Sequence, residues 1–448
     1  SFLAPTVPPV RLRDTPPRVT CQTIMATLRP FRGTRFNVDA ERLARIVAPP
    51  YDVISPEQRE GYAAQDDHSV VLLTLPEQNE DDRSKFIKYA RSASRLEEWK
   101  REGTLHVEDV PSFYRYTQSF EVPGTGHTFT RTKLVATIKV EPYANQVVLP
   151  HEQTFPKHKE DRKRILEATR SHLECIFGLY EDDDQSLHNL VVNAPADDSQ
   201  TITTEEDGIV HIFERISDEA AINAIVEEAA EKKVWIADGH HRYETALSFR
   251  EDLGEKDGLI PEDFMMMALC SISDPGLVLL PTHRILKKMP MLKALLAEHF
   301  DVTPASNNQL MATIEQINSE GKRAFGVAMP GGQGVVAQVR DLDALVAEIA
   351  GPGSEDLKRL DVSILHGYIF AKLLGLTGLD FFSYTRIERE ALQAAEEQET
   401  IAFLMNPPTV DDMRTIALGG DFMPQKSTYY YPKLLSGMVI WSLKDFQA

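Results

Sequence analysis

The stretch "VWIADGHHRYETALSF", residues 234–249, places a run of polar residues between an apolar segment and a helical pattern. "VWIAD" predicts a short buried strand, and from His241 onward Tyr243, Ala246 and Leu247 recur on one face of a helix. The polar run therefore lies at a turn from strand to helix. Free backbone N–H groups and the helix dipole favour a negative charge at such a turn, so we expect an anionic ligand there.

The composition narrows the class of protein. The chain has 448 residues, which predicts more than one domain, and its formal net charge of −20 disfavours nucleic acid as a partner. No apolar run approaches the roughly 18 residues that cross a bilayer, so we expect no membrane association. Because its cysteines, at 21, 175 and 270, are far apart, we expect neither a disulfide framework nor a thiolate metal site. A reducing, cytoplasmic location fits this cysteine usage.

Alternating strand and helix patterns predict an α+β fold. Residues 112–143 read as a long hairpin, 201–216 as a second hairpin around Asp-Gly, and about 158–173 as a helix. We expect a disordered Pro-rich extension at 1–24, followed by an N-terminal α/β segment with the long hairpin at 25–139. A catalytic core at 140–289 comes next. An inserted small α/β subdomain at 290–352 and a C-terminal segment at 353–448, which closes the core, complete the chain.

The polar turn offers groups for phosphate chemistry. Arg242 and the amides that follow Gly239 would form a phosphate cradle, because the planar guanidinium matches phosphate oxygens. Asp238, His240 and His241 would polarise or ligate the reacting group, and Asp238 is also a possible magnesium ligand. The alternative is a capped helix with surface histidines.

A second group of polar residues follows the strand end at "LPHEQTFPKHKEDRKR". His151 lies at the strand end, and Glu152 could serve as the general base toward a hydroxyl or as a magnesium ligand. A basic cluster comes next and could attract a nucleotide. The alternative is a solvated helix face with i,i+4 ion pairs. The basic cluster comprises Lys157, Lys159, Arg162, Lys163, Arg164 and Arg170.

Weaker candidates lie elsewhere in the chain. "LPTHRIL" places His283 and Arg284 after an apolar strand, either as a site or as a structural pair. "MPQKSTYYYPKLLSG" could close the pocket with lysines toward phosphate and tyrosines against a flat ring, or its tyrosines could simply pack. The candidate residues of this last motif are Lys426, Ser427, Lys433 and Ser436. Near the N-terminus the candidates are Arg29, Arg32, Tyr51 and Asp52, and Asp52 could be a second carboxylate of the site.

Several motifs together resemble a known group of proteins. "RPF…APPYDV", "HEQT", "ADGHHRYETA", "LPTHR" and "STYYYPKL" occur in this order from Arg29 to Leu434. They resemble a "domain of unknown function" family within the ParB/sulfiredoxin-like superfamily. The resemblance implies a ParB/sulfiredoxin-like mixed α/β core with flanking N- and C-terminal segments and an inserted small α/β unit.

The resemblance also suggests a chemistry. Sulfiredoxins carry a reactive cysteine where this chain has His240, so sulfinic acid reduction is disfavoured. Free serine kinases of the superfamily are more similar, since they carry Asp-Gly-His-His-Arg with an upstream His-Glu. This similarity implies that Glu152 acts as the base on a substrate hydroxyl, with Asp238, His240 and His241 near the phosphates.

The leading hypothesis is a nucleotide-dependent phosphotransferase that acts on a small hydroxylated metabolite such as serine, with ATP or ADP as donor and magnesium as cofactor. A metal-dependent phosphoester hydrolase would use His151 and the His/Asp cluster differently. A ParB-like nucleotide switch without turnover is the third reading. The motifs of P-loop proteins, dinucleotide-binding folds, zinc proteases and protein kinases are missing from the sequence. The sequence does not fix the oligomeric state, for which a homodimer is one expectation.

Overall fold

The computed structural model describes residues 26–152, 156–289, 291–378, 380–396, 400–424 and 426–447, with the backbone alone at 156–158. The predicted extension 1–24 therefore lies outside the described residues. The strands are β1 Leu28–Arg29, β2 Thr34–Phe36, β3 Leu105–Val107, β4 Phe113–Glu121, β5 Thr128–Lys139, β6 Val148–Leu149, β7 Ser171–His172, β8 Ile176–Tyr180, β9 Asp198–Thr203, β10 Val210–Ile216, β11 Val234–Asp238, β12 Phe264–Ser271, β13 Val278–Leu279, β14 His283–Lys287, β15 Phe300–Ser306, β16 Ala324–Ala328, β17 Gln333–Val339, β18 Ser383–Thr385, β19 Thr400–Leu404, β20 Tyr430–Tyr431 and β21 Trp441–Ser442.

Helices cover the sheets and connect their strands. They are α1 Ala40–Ile46, α2 Pro56–Gln65, α3 Val71–Thr74, α4 Ile87–Glu102, α5 Pro156–Thr169, α6 Ser186–Asn193, α7 Glu219–Ala230, α8 His240–Asp252, α9 Leu292–His299, α10 Leu310–Ser319, α11 Leu342–Ala347, α12 Glu355–Lys358, α13 Asp361–Ser363, α14 Glu388–Glu396 and α15 Val410–Leu418. A π-helix follows α13 at Ile364–Leu373. No helix of the described chain combines the length and the apolar character needed to cross a bilayer.

A large mixed sheet forms the centre of the first half of the chain. Its strand order is β6-β11-β8-β12-β5-β4-β10-β9, with β1 paired to β5. The pairs β6–β11 and β8–β12 are parallel, and the other pairs of this sheet are antiparallel. Both predicted hairpins are confirmed, as β4–β5 and β9–β10. The α+β class is confirmed, and the ParB/sulfiredoxin-like assignment stays a prediction.

The central strands are buried on both faces, as their continuous apolar sequences require. In β12, Met265 and Met267 pack into one hydrophobic cluster, while Met266 and Ala268 pack into another. Successive side chains of a strand point to opposite faces, so the two clusters lie on opposite sides of the sheet. In β11, Trp235 belongs to the same cluster as Met266. This burial holds the strand ends, where the polar motifs begin, in fixed positions.

A second sheet has the order β15-β17-β16-β19-β14-β18. Its strands β15, β16 and β17 come from the predicted inserted unit, and β14, β18 and β19 come from the chain before and after that unit. The domain boundaries at 290 and 352 stay predictions. Only β13, which pairs with the C-terminal strand β20, separates β14 from the last strand of the first sheet, so this arrangement brings C-terminal residues near the polar motifs of the first half.

Local sequence signals account for the two helices that lead into and out of β11. The side chain of Asp218 caps α7 by accepting a hydrogen bond from the backbone N–H of Ala221. Gly239 joins β11 to α8 with φ of 97°, a left-handed conformation that glycine adopts without strain. The predicted strand, turn and helix at 234–249 are therefore confirmed. The helix predicted at 158–173 is α5, which ends at Thr169 because Arg170 adopts φ of 52°.

Candidate functional site

Two polar motifs that are far apart in sequence leave the same edge of the first sheet. β6 and β11 are parallel neighbours, with Leu149 opposite Trp235. The chain leaves β6 toward His151 and Glu152, and β11 ends at Asp238. Carboxyl ends of adjacent parallel strands are a common place for ligand sites in mixed α/β sheets. The fold therefore brings the His-Glu motif next to the start of the Asp-Gly-His-His-Arg motif.

The two buried imidazoles of His151 and His240 form hydrogen bonds between these strand ends. Nδ1 of His151 donates to the carbonyl oxygen of Ile236 at 2.6 Å, and its Nε2 accepts from the hydroxyl of Thr428 at 3.0 Å. The backbone N–H of His151 donates to Nε2 of His240 at 3.2 Å. Burial lowers the pKa of His151 to about 4, and burial together with His151 lowers the pKa of His240 well below its usual value. Both rings are therefore neutral at physiological pH.

Glu152 and Asp238 are neighbouring carboxyl groups with opposite protonation behaviour. Burial and the negative charge of Asp238 raise the pKa of Glu152 to about 7. Burial also opposes the charge of Asp238, but the cations Lys433 and Arg242 outweigh it and hold the pKa of Asp238 at about 2. One carboxyl group therefore titrates near neutrality while the other stays ionised. Such divergent pairs are typical of sites that move a proton.

Arg242 extends from the first turn of α8 behind this pair. Its Nη1 donates to the carbonyl oxygen of Cys175 at 2.8 Å, while its Nε is buried and has no acceptor among the described residues. A Cβ on Gly239 would lie 2.6 Å from Ile176 Cγ2, so the close approach at this turn requires glycine. Burial opposes the charge of Arg242, but Glu174 and Asp52 raise its pKa overall. The guanidinium therefore stays charged and retains a free donor.

Tyr51 and Asp52 form the opposite wall on a short 3₁₀ segment, Tyr51–Val53. The Tyr51 ring lies 5.8 Å from Cζ of Arg242 and 3.9 Å from Cζ of Arg162. Its backbone N–H donates to Glu174 at 3.1 Å. Solvent reaches the Asp52 carboxylate, yet desolvation by the surrounding chain and the charge of Asp238 raise its pKa. This combination is typical of a group that lines a concave pocket.

The C-terminal segment brings Lys433 and Lys426 next to these two carboxyl groups. Nζ of Lys433 lies 2.8 Å from Oδ2 of Asp238. The backbone N–H of Lys426 donates to the Glu152 carboxylate, and both this bond and the lysine charge counter the rise in the pKa of Glu152. The Lys426 side chain is exposed. The role of this motif in closing a pocket stays a prediction.

A buried polar cluster below the pocket holds the backbone that carries Lys433. The side chain of Gln118 donates to the carbonyl oxygen of Lys433 at 2.9 Å. Arg131 donates to the carbonyl oxygens of Tyr431 at 3.0 Å and Pro432 at 2.5 Å. Both side chains come from the β4–β5 hairpin and are fully buried. The hairpin therefore sets the position of Lys433 relative to Asp238.

Other predicted site residues lie at the edge of the pocket or away from it. Arg162 is buried against Tyr51 and donates to the carbonyl oxygen of Thr74 at 2.8 Å. His241 lies half-buried in the first turn of α8 and interacts with its surroundings. The side chain of Lys157 lies outside the described residues. Arg29 contacts Phe264 and Phe446 on another part of the protein, where it supports packing.

His283 and Arg284 are buried in the second sheet and do not open into the pocket. Nδ1 of His283 accepts from the backbone N–H of Met405 at 3.4 Å, and burial lowers the pKa of His283 to about 4. Arg284 donates to the carbonyl oxygen of Lys426 at 3.2 Å. The pair therefore touches the site only through the backbone of the Lys426 segment.

The described part of α5 and its C-terminal flank is neutralised by neighbouring acids. Lys159 pairs with Glu244, Lys163 with Asp252, and Arg164 with Glu160 at 2.8 Å and Glu167 at 3.0 Å. Arg170 pairs with Glu262. This arrangement is that of the solvated, ion-paired face that the sequence offered as the alternative.

Glu174 and Thr428 are site residues that the sequence interpretation missed. Glu174 precedes β8 and accepts from the Ser436 hydroxyl at 2.9 Å, and Thr428 donates to His151. An acidic residue beside a strongly apolar strand is the one signal that could have indicated Glu174. Thr428 carries no such signal, because only the tertiary contact with His151 identifies it.

Metal ligation requires ligands with free lone pairs. Among the described residues, no group of three or more histidine, cysteine, aspartate or glutamate side chains is placed to hold a metal ion. Both ring nitrogens of His151 have protein partners, and Nε2 of His240 already accepts a hydrogen bond. A histidine-bound transition metal, which the hydrolase alternative needs, therefore has little support. Magnesium has a different requirement, because one or two carboxylates and the phosphates of a substrate suffice.

The chain belongs to the family described as "Protein of unknown function (DUF1015)", which it matches over residues 28–363. No curated protein matches the chain.

Similar solved structures include a variant of a free serine kinase in complex with ADP, at 12% identity, with 70% of this chain and 94% of that chain covered and a TM-score of 0.35. A C-terminally truncated SbnI from Staphylococcus aureus has 11% identity, coverage of 70% and 90%, and a TM-score of 0.34. A conserved hypothetical protein from Pyrococcus furiosus has 12% identity, coverage of 70% and 97%, and a TM-score of 0.33. Scores this low establish neither a shared fold nor a shared function.

Proposed function

We propose that the protein is a nucleotide-dependent phosphotransferase that acts on a small hydroxylated metabolite, with a free hydroxy amino acid such as serine as the first candidate. The observation that carries this proposal is the divergent pair Glu152 and Asp238, with pKa values of about 7 and about 2, at the ends of adjacent parallel strands. A base that titrates near neutrality suits the activation of a hydroxyl. The cations Arg242 and Lys433 beside it suit phosphate oxygens.

The residues of the pocket have complementary roles in this reaction. Glu152 takes the proton of the acceptor hydroxyl, whose oxygen attacks the terminal phosphorus of the nucleotide. A new P–O bond forms while the bond to the departing nucleotide breaks, and the electron pair stays on the leaving phosphate oxygen. Arg242 and the amides at the start of α8 hold the transferred group, and Lys433 balances the growing charge. His151 and His240 keep the two strand ends in register through neutral hydrogen bonds.

Magnesium fits the oxygen ligands of this pocket. Asp52 and Asp238 would hold the ion, and when bound it would neutralise charge on the phosphates. Asp52 has no ion pair among the described residues, and solvent reaches its carboxylate, so the side chain can turn toward a ligand. The fit rests on the donor set alone.

Calorimetric titration with ATP, ADP and CTP tests the binding step. We expect wild-type protein and Glu152→Gln to bind the donor nucleotide with similar affinity, because Glu152 contacts the acceptor. Phosphate transfer to L-serine, L-threonine and other hydroxy acids, followed by chromatography of labelled products, tests the reaction. The wild type should yield a phosphorylated acceptor and Glu152→Gln almost none.

The outcomes separate the alternatives. Absence of nucleotide binding at millimolar concentration overturns the proposal. Binding with release of inorganic phosphate but no phosphorylated acceptor would support a hydrolase. Binding without any turnover, over a wide panel of hydroxylated acceptors, would support a nucleotide switch.

A further inference from the structure

Arg386 lies beside the proposed phosphotransfer pocket and has no role in the reaction described above. It follows β18, which pairs with β14 in the second sheet, and its Cζ lies 4.6 Å from the centroid of the Tyr429 ring. Nζ of Lys433 lies 4.5 Å from the same centroid and 2.8 Å from Asp238. Tyr429 therefore links Arg386 to the lysine that contacts the pocket carboxylate.

The hydrogen-bonding capacity of Arg386 is unused within the described chain. Its Nε is buried and has no acceptor there, and no described carboxylate forms an ion pair with its guanidinium. The hydroxyls of Tyr384 and Thr282 are also buried without a partner among the described residues. The register of β14 and β18, continued by one residue, places Thr282 opposite Arg386. Buried donors without acceptors are costly, so a cluster of them indicates a ligand.

Arg284 is a second cation close enough to Arg386 for the two charges to interact. Arg284 is fully buried, and its hydrogen-bond partners in the described chain are His366, the sulfur of Met405 and backbone carbonyls, none of them a carboxylate. Burial and the nearby Arg386 both lower the pKa of Arg284, although Tyr384 opposes this. Lys426, whose carbonyl oxygen accepts from Arg284, has an exposed side chain without an ion pair in the described chain. In a protein of net charge −20, such a group of uncompensated cations is typical of an anion site.

We propose that Arg386, presented by its stack on Tyr429, binds the carboxylate of the phosphate acceptor, so that the substrate class is that of small hydroxy acids. The inference rests on the proposed function, because it assigns the acceptor side of the same pocket. The planar guanidinium matches a carboxylate through paired hydrogen bonds, and the aromatic ring fixes its plane. Arg242, whose charge also acts on Asp238, serves the phosphates. The hydroxyl of the acceptor lies toward Glu152 and its carboxylate toward Arg386.

Kinetic comparison of acids with their neutral amides tests this assignment. The wild type should prefer L-serine, or the best hydroxy acid of the acceptor panel, to the corresponding carboxamide. Arg386→Gln should raise KM for the acid by about ten- to a hundredfold, the usual worth of a charge-assisted hydrogen bond, with little change in kcat. The same variant should bring acid and amide to similar KM values. Arg386→Lys should restore part of the preference, because it keeps the charge.

Arg389→Gln is the matched control, since Arg389 lies on the exposed surface of α14 three positions further along the chain. It should leave KM unchanged. Nucleotide affinity and the thermal unfolding midpoint, measured on each variant, exclude a folding defect. Equal KM values for the acid in the wild type and Arg386→Gln would overturn the inference and leave the phosphotransferase intact.

Direct titration keeps the two proposals distinguishable. L-Serine and glycerate are titrated into wild-type protein saturated with ADP, and then into Arg386→Gln. Arg386-dependent binding of these acids without any phosphate transfer would retain the anion site and remove the kinase proposal. Nucleotide binding with no binding of any hydroxy acid at millimolar concentration would remove the inference.

Discussion

The turn at 238–242 and the helix α5 are both rich in charge in the sequence, but the fold treats them in opposite ways. On α5 the described cations meet acids at the surface, as with Arg164, which pairs with Glu160 and Glu167. At the turn, the buried Nε of Arg242 has no acceptor among the described residues, and the charge of Asp238 raises the pKa of a second carboxylate, Glu152. The difference shows that charge density does not identify a site. A site is better indicated by charged groups that the described chain leaves without a counter-charge in a concave region.

The comparison predicts the largest effect for the proposed base. Glu152→Gln should lower kcat for phosphate transfer by about 10²- to 10⁴-fold, because the variant has no group to accept the hydroxyl proton. Glu160→Gln on α5 makes the same chemical change at an exposed position and should leave kcat unchanged. Steady-state kinetics on both variants give the answer. A similar loss in the two variants would remove the distinction between the regions.

Arg242 at the turn and Arg164 on α5 should also differ in their contribution to nucleotide binding. Arg242→Gln should weaken the binding of ATP or ADP by about ten- to a hundredfold, since a charge-assisted bond to phosphate is lost. Arg164→Gln should leave the affinity unchanged, because that guanidinium is exposed and already paired. Calorimetric titration measures both. Equal weakening would indicate that long-range charge, and not contact, governs binding.

The pH dependence of the reaction should report the carboxylate of Glu152. As a base, Glu152 must be ionised, so kcat/KM should rise with pH and level off above its pKa of about 7. The positive charge of Lys426 lowers the pKa of Glu152. Lys426→Met should therefore shift the acidic limb to higher pH by a fraction of a unit. Lys444→Met, which removes a lysine paired with Glu97, should leave the limb in place.

The smallest expected effect concerns stability. Burial raises the pKa of Glu152 in the folded state from 4.5 to about 7, so ionisation of this group disfavours the folded state. Glu152→Gln removes that penalty, and its unfolding midpoint should exceed that of the wild type at pH 8. The difference should shrink as the pH falls from about 7 and vanish below about 4.5. If the difference between the two unfolding midpoints stayed constant across this pH range, ionisation of Glu152 would not destabilise the folded state.

Much of the local structure could be predicted from residue patterns. The strand and helix at 234–249 followed from apolar spacing, and the structure adds that Gly239 joins them in a left-handed conformation. The β4–β5 hairpin followed from alternation around a glycine-rich turn. Helix ends were less predictable, as at Thr169, because the left-handed conformation of Arg170 has no sequence signature.

Roles that depend on contacts between distant segments could not be predicted. His240 and His151 resemble catalytic imidazoles in the sequence, yet each has a hydrogen-bond partner across the strand ends. Glu174 and Thr428 contribute to the site, although Glu174 belongs to no polar run and nothing in the motif around Thr428 distinguishes that residue from its neighbours. Arg386 is similar, since its position on Tyr429 arises from the pairing of β18 with β14.

The sequence by itself determined the elements, the α+β class and the chemical groups available at two strand ends, because these depend on periodicity and side-chain type over short distances. Only the tertiary structure decided which of those groups titrate near neutrality and which cations have no counter-charge within the described part of the chain. The pKa values of Glu152 and Asp238 differ because burial and the charges of Lys433 and Arg242 act on them unequally. Those charges come from separate parts of the chain, and the parallel pairing of β6 with β11 brings the two carboxylates together.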